Sequence, residues 1–259
     1  MAVHNQLDTL SAALNSIVKQ TFTDWELILV SDGSDMETEN YLKQFAQKHS
    51  QVQLIINSRH IGLTKSLNKG LKEAKGKYLA RMDADDVCLP DRLKQQVAYL
   101  EDHQEIALLG TAAYLMNDQG KNVGLKRFPS DNKSLRAAAL HHCPFIHPTW
   151  MARTSVLREL AGYNEQFPFA QDYELALRLM AKHQVANLAE PLLIYRVNSP
   201  EAISLKNLKK QESLAIKARL MALTQYGYPL TDAWKLFKPF LSYLIPASLK
   251  RIIYRRFFW

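Results

Sequence analysis

The sequence predicts an α/β fold: a mostly parallel central sheet flanked by helices, with a helical, basic C-terminal tail. Three observations predict it. Helical and strand-like hydrophobic patterns alternate through the first half, the arrangement from which parallel sheets are built. Two strand-like runs end in acidic loops, at the carboxyl ends where open sheets of this class gather ligands. Basic residues concentrate after Leu205, outside the alternating part.

Leu7, Leu10, Leu14, Ile17 and Val18 recur at helical spacing, with Asp8 placed to cap the helix. Glu26-Leu27-Ile28-Leu29-Val30 is a short apolar run ending in Ser31-Asp32-Gly33-Ser34, a strand followed by a loop. Residues 35–48 carry a helical pattern and 52–56 a strand pattern. Thr64 is placed to cap a helix bearing Leu67, Leu71 and Ala74, and Gly76 to end it. Residues 77–82 read as a strand, Asp83-Ala84-Asp85-Asp86 as the loop after it, and Leu89-Pro90-Asp91-Arg92 as the start of a helix with Leu93, Val97 and Leu100. Residues 106–110 form a further strand. From about 113 to 200 the pattern is less regular, with loops expected around 117–124 and 141–148. Residues 207–227 read as a helix, and a tail with Pro229, Pro239 and Pro246 follows.

Composition narrows the function. With 259 residues, 47% of them hydrophobic and 22% charged, the chain can bury a substantial core. Cys88 and Cys143 are too few and too far apart for a metal knuckle, and a reduced, cytoplasmic setting is expected. No run approaches the roughly 18 to 20 apolar residues of a spanning helix. After Leu205, eleven Lys or Arg face only Glu212 and Asp232, so the preceding part is close to neutral. A nucleic-acid reader spreads its basic residues over the folded surface, and no nucleic-acid partner is expected.

Three carboxylates in four residues, Asp83, Asp85 and Asp86, repel one another unless a cation or hydrogen-bond donors share the site. A hard divalent ion carrying substrate phosphates is the usual occupant; a solvated acidic turn is the plainer alternative. Asp32 can likewise shape a turn or cap a helix. Asp172 starts a helical pattern with Leu175, Leu177 and Leu179, where an aspartate can serve as cap and dipole partner. His141, His142 and His147 lack the Cys or carboxylate spacing of a zinc site.

The order of motifs resembles family 2 glycosyltransferases, GT-A-type enzymes that use nucleotide-diphosphate sugars. The matching pieces are Ala2-Val3-His4-Asn5, Ser16-Ile17-Val18-Lys19-Gln20-Thr21-Phe22, Glu26 through Ser34, Gly62-Leu63 and Asn68-Lys69-Gly70. Then come Ala80-Arg81-Met82-Asp83-Ala84-Asp85-Asp86, Pro90-Asp91-Arg92-Leu93, His147-Pro148-Thr149, and Gln171-Asp172-Tyr173-Glu174-Leu175 with Leu177-Arg178-Leu179. The likeness covers about residues 1–200. It implies a GT-A-like domain over 1–205, with a nucleotide-sugar half (1–112) and an acceptor half (113–205), and an extension over 206–259.

Roles follow from the resemblance. Asp32 would accept a hydrogen bond from the nucleotide base, with Ala2 and His4 lining the same pocket. Asp83 would face the ribose or the metal, and Asp85 would bind Mg²⁺ or Mn²⁺, which steadies the departing diphosphate. Asp172 would be the general base toward the acceptor hydroxyl, giving inversion. His147 and Thr149 would shape the acceptor side. The chain also departs from the pattern. The family's first apolar strand lies before Ala2, so Met1 falls inside that strand and stability is expected to suffer. Ser31, His60, Gln171 and Asn198 replace more frequent residues.

Residues 233–259 mix aromatic and aliphatic side chains with basic ones, a composition suited to an anionic bilayer surface. A peripheral contact at the inner face of the cell membrane is expected. It suits a glycan or lipid-linked acceptor in bacterial surface polysaccharide assembly. The alternatives are a non-catalytic sugar-nucleotide or glycan-binding module, a nucleotidyltransferase on a related sheet, and a membrane tether.

Overall fold

The computed structural model describes residues 1–197, 207–246 and 250; Asn198 and the end of the tail (247–249 and 251–259) lie outside the described residues. Three parallel strands open the fold: β1 (Ala2–Val3), β2 (Leu27–Asp32) and β3 (Val52–Asn57), in that order in the sheet. Helices α1 (Leu7–Val18) and α2 (Met36–Lys48) connect them, and α3 (Leu63–Glu73) follows. All six residues of β2 are buried, which is why the 26–30 run shows no alternation.

A second, mixed sheet is built from β4 (Tyr78–Ala80), β5 (Val87–Cys88), β6 (Ile106–Met116), β7 (Asn122–Lys126), β8 (Met151–Arg153) and β9 (Gln184–Arg196). Its order is β4-β8-β6-β9-β5, with β7 on β6; β6 and β9 are parallel and the other pairs antiparallel. The flanking helices are α4 (Arg92–Asp102), α5 (Asn132–Ala138), α6 (Thr154–Glu159), α7 (Gln171–Lys182), α8 (Leu208–Thr224) and α9 (Phe237–Leu244). The expected parallel sheet is thus the first one, and the irregular stretch after 113 builds most of the second.

Several local expectations are corrected. Gln6, not Asp8, is the N-cap of α1; Asp8 lies in the first turn, where its charge faces the helix dipole's positive end. Gly62, at φ 92°, caps α3, and the Thr64 hydroxyl instead donates to Phe167 O at 2.8 Å. That helix stops at Ala74, before Gly76. The strand expected over 106–110 runs on to Met116 because β7 and β9 pair along it. β7 falls partly on the expected 117–124 loop; its residues are all exposed, so no apolar alternation marks it.

The main core gathers Leu108, Trp150, Phe167 and the buried face of α7, together with Ala218, Ala222 and Leu223 of α8. Arg219 on α8 donates to Leu140 O and His141 O, both at 2.9 Å. The segment after 206 therefore begins as part of the body.

Near the acidic loop, polar side chains replace a ladder. Arg92 is fully buried and donates to Arg81 O (2.7 Å), Trp150 O (3.3 Å) and Gln96 Oε1 (3.0 Å). Gln96 passes the connection to Thr149 O at 2.8 Å. Gln20 joins α1 to the same helix start, donating to Leu89 O (2.8 Å) and accepting from Leu93 N (3.0 Å). Arg92→Met leaves these acceptors buried without a donor and is expected to cost about 3 kcal/mol. That corresponds to a Tm fall of roughly 6–12 °C for a chain of this size, measurable by calorimetry.

Candidate active site

Strand β2 carries Asp32 to the rim, where its carboxylate is surrounded by donors. Oδ1 accepts from Ile61 N (2.9 Å) and Asn57 Nδ2 (3.0 Å), and Oδ2 accepts from Gly62 N (2.9 Å) and lies 3.0 Å from His60 Nδ1. Burial alone would raise this carboxyl; the donors at Ile61, Asn57, His60 and Gly62 outweigh it and hold the group below the usual carboxylate range. Gly33 (φ 63°) lets the loop approach this closely: a Cβ there would lie 2.2 Å from His60 N. His4 donates from Nδ1 to Asp32 O at 2.9 Å, and its ring lies 4.2 Å from that of His60. Ala2 is half-buried beside Val30 in the ladder.

Strand β4 delivers the second cluster. Asp83, Asp85 and Asp86 each offer a carboxylate oxygen, all within 4.8 Å of one another. Asp86 is fully buried: Oδ1 accepts from Arg196 N (2.9 Å), and Oδ2 has no partner among the described residues. Arg196 Nε also donates to Asp85 O at 3.2 Å. Arg81 is buried behind the loop and forms an ion pair with Asp83. Burial, then the charge of Asp83, pushes Asp85 up to about 6 and raises Asp86 as well. Crowded carboxylates with an orphaned buried oxygen fit a cation, and an all-oxygen donor set suits a hard ion such as Mg²⁺ or Mn²⁺.

Asp172 stands in the first turn of α7, after Ala170 in the left-handed conformation (φ 54°, ψ 24°). Burial raises its carboxyl, opposed by the Tyr173 N–H and by Arg81, while the negative charge of Asp83 adds to the rise. The acidic loop and Asp172 thus share one electrostatic neighbourhood around Arg81.

His147 and Thr149 are both buried. Thr149 has no exposed surface; its hydroxyl donates to Ile146 O (2.7 Å) and accepts from Thr111 N (3.1 Å). Its hydroxyl is thus taken up by main-chain partners. His147 is buried too, with Nε2 2.8 Å from the Tyr163 hydroxyl and its ring edge-on to Trp150. Sequence reasoning quoted Arg81 within a motif but gave it no role, and it missed Arg196 and Asn57. A charged residue inside an apolar strand was the available signal for Arg81.

Residues 1–161 match the family described as glycosyl transferase family 2. The chain belongs to glycosyl transferase family 2. It is 31% identical over 255 residues to the amylovoran biosynthesis glycosyltransferase AmsE of Erwinia amylovora, covering 96% of this chain and 93% of that one. The O-antigen biosynthesis glycosyltransferase WbnJ of Escherichia coli is 33% identical over 204 residues, covering 77% and 78%. Among solved structures, S. aureus TarS 1–349 in complex with UDP superposes with a TM-score of 0.69 at 19% identity, covering 90% of this chain and 66% of that one. The mannosyltransferase PcManGT of Pyrobaculum calidifontis, in complex with GDP-Man and Mn²⁺, gives 0.60 at 16% identity, covering 97% and 77%. This family 2 glycosyltransferase therefore has a GT-A-like fold, and its acidic loop stands as the D-x-D cluster.

The Asp32 clamp has a measurable pH signature. A carboxyl held below its unfolded value binds fewer protons in the folded state, so its stabilisation is present above the ordinary carboxylate range and lost as pH falls through the folded value. Asp32→Asn is expected to lower stability by about 2 kcal/mol at pH 7. Urea denaturation should show the gap between the two proteins closing as the pH is lowered through the acid range.

Proposed function

We propose that the chain is an inverting, metal-dependent glycosyltransferase. It moves one sugar from a nucleoside-diphosphate donor to a glycan or lipid-linked acceptor, in bacterial surface polysaccharide assembly. The observation that carries this reading is the Asp83–Asp85–Asp86 cluster, with the charge of Asp83 felt at the partly buried Asp172. Relatives named for amylovoran and O-antigen biosynthesis support the product class, and neighbours solved with UDP, UDP-GlcNAc or GDP-Man support the donor class.

In this reading Ala2, His4 and Asp32 line the nucleoside pocket. Asp32 can receive a base N–H if one of its present donors gives way, and the exposed His60 is the one free to swing out. Asp83 and Asp85 would hold Mg²⁺ or Mn²⁺, which when bound supplies positive charge against the diphosphate. Asp172 takes the proton of the acceptor hydroxyl as that oxygen attacks the anomeric carbon. The bond to the diphosphate oxygen breaks on the opposite face, the nucleoside diphosphate leaves with the electron pair, and configuration inverts. A carboxyl raised by burial is a better proton acceptor than one in water. His147 and Thr149 keep the acceptor side in shape from beneath it.

With donor, acceptor and Mn²⁺ supplied, nucleoside diphosphate release should be abolished by Asp85→Ala. Asp172→Asn is expected to lower kcat about 10²- to 10⁴-fold. The wild-type rate should fall with acid over a limb lying above the ordinary carboxylate range, a limb that Asp172→Asn removes. Release of pyrophosphate instead, or full transfer by Asp172→Asn, would count against the assignment.

The C-terminal part supports a membrane contact. Trp234, Phe237, Leu241 and Leu244 are exposed along the turn over Leu230–Leu236 and helix α9, with Lys238 exposed beside them. An apolar face next to basic residues fits an anionic bilayer surface, at about 1 kcal/mol per basic residue near it. Liposome flotation with phosphatidylglycerol vesicles should recover the wild type. Replacing Phe237, Leu241 and Leu244 by Ser should leave it in the bottom fraction, whereas unchanged flotation would exclude this face.

A further inference from the structure

Beside Asp172 lies a recess lined with cations. Lys126 ends β7 and is exposed to solvent, with its ammonium 5.5 Å from the centre of the Phe128 ring. Burial nonetheless weakens its hold on its proton, opposed by Cys143 and Asp172. A side chain open to water yet surrounded by protein lies in a concavity, and Asp172 is near enough to be felt there. The His142 ring stacks on Phe128 at 5.7 Å, and the His141 ring meets Trp234 edge-on at 6.0 Å. These contacts gather the end of β7, the 141–143 segment and the turn over Leu230–Leu236 around one recess, with the start of α7 beside it.

The charges in this recess are out of balance. His142 is lowered first by burial and then by His141, Lys126, Arg219 and Lys238, all of them groups that carry or can carry positive charge. Arg219 is already engaged with Leu140 O and His141 O, and its guanidinium lies 4.8 Å from the centre of the Tyr173 ring. Lys126 and Lys238 have neither a hydrogen bond nor an ion pair among the described residues. Asp232, the acid nearest Lys238 in the described sequence, is held by Lys235 at 3.0 Å. Asp172 is the carboxylate that reaches Lys126, and once it has taken a proton it offers that ammonium no charge at all.

We propose that this recess is an acceptor subsite for a glycosyl phosphate or diphosphate, with Lys126, His142 and Lys238 receiving the phosphate oxygens while a sugar hydroxyl faces Asp172. The subsite rests on the reading of Asp172 as the base, and it narrows the acceptor to one with an anionic linkage. Phosphate oxygens can occupy several cationic donors at once, whereas a lone carboxylate would leave most of this set unmatched. Phe128 and Trp234 offer flat faces to the sugar ring. The exposed Phe237 and Leu241 flank Lys238 along α9, so the linkage leads toward an apolar surface. A lipid-linked sugar and a free sugar phosphate present the same chemistry to these cations.

The subsite is tested on the full chain in EDTA, without donor or metal, by following the side-chain NMR signals of His142 and Lys126. Glucose 1-phosphate and monomeric dodecyl phosphate are each expected to move both signals saturably. Lys126→Gln with Lys238→Gln should weaken that binding about tenfold or more, whereas Asp85→Ala should bind as the wild type does. Tighter binding of dodecyl phosphate assigns the linkage to a lipid, and tighter binding of glucose 1-phosphate to a soluble acceptor; both orders support the subsite. Signals unmoved by either phosphate at millimolar concentration overturn it, as does unchanged affinity in the double Gln variant. Equal affinity for methyl glucuronide shows a carboxylate site, for methyl glucoside a neutral sugar site, and for inorganic phosphate a bare anion patch, and each of these also overturns it. Since no transfer is measured, failure here leaves the metal-dependent reaction standing, while loss of transfer in Asp85→Ala bears on that reaction alone.

Discussion

The ion pair between Arg81 and Asp83 is the interaction on which the site depends. Asp83, Asp85 and Asp86 could not stand this close in a largely buried loop without nearby positive charge, and Arg81 could not be buried without a carboxylate. Burial by itself would weaken the guanidinium's hold on its proton; Asp83 more than reverses that. Strand and loop thus stabilise each other. The backbone of Arg81 is fixed as well, its carbonyl by Arg92 and its amide by Trp150 O. One residue therefore joins α4, β8 and the acidic loop, and its charge reaches Asp172.

The remaining geometry serves the same charge balance. Arg196, at the end of β9, offers its amide to Asp86 and its guanidinium to the Asp85 carbonyl, so the far strand of the second sheet is tied to the loop. Asp172 is placed by a backbone turn at Ala170, where a side chain in the left-handed region costs about 1–2 kcal/mol. That cost is borne where the carboxyl must be held partly out of water, close enough to Arg81 and Asp83 to feel both.

Much of the fold was legible because its strands announce themselves locally. β2 reads as an apolar run because every residue is buried, and α2 falls within the helical pattern of 35–48, with Asp35 as its N-cap accepting from Thr38 N. β5 has two residues and β7 none that are buried, so neither leaves a period to read. How the strands divide between two sheets depends on pairings distant in sequence. Within the site, Asp83, Asp85 and Asp172 were legible as carboxylates in motif context. The turn-shaping and nucleotide readings of Asp32 fall on the same carboxylate, which clasps residues 60–62 at the rim. Thr149 shows the limit: a buried threonine that bonds the backbone and one that faces a cleft have the same signature in sequence.

How the two halves of the site keep register follows from the seam between the sheets. Asp32 belongs to one sheet and the acidic loop to the other, so among the described residues no strand ladder sets the distance between them. Side-chain bonds do this instead. Asn68 on α3 exchanges hydrogen bonds with the backbone of Tyr163, both at 2.8 Å, and Thr64 donates to Phe167 O. On the opposite side the Thr9 hydroxyl of α1 donates to Ala84 O, inside the acidic loop, at 3.2 Å. Gly162 (φ 69°) allows the first of these contacts, since a Cβ there would lie 2.6 Å from Asn68 Oδ1. Individual hydrogen bonds of this kind contribute about 1 kcal/mol each and yield more readily than a ladder. Packing adds to these bonds, since Leu27 and Leu29 of β2 share one apolar cluster with Met82, Ala84 and Leu193, so the Asp32 rim and the acidic loop are held together by side chains from both sheets.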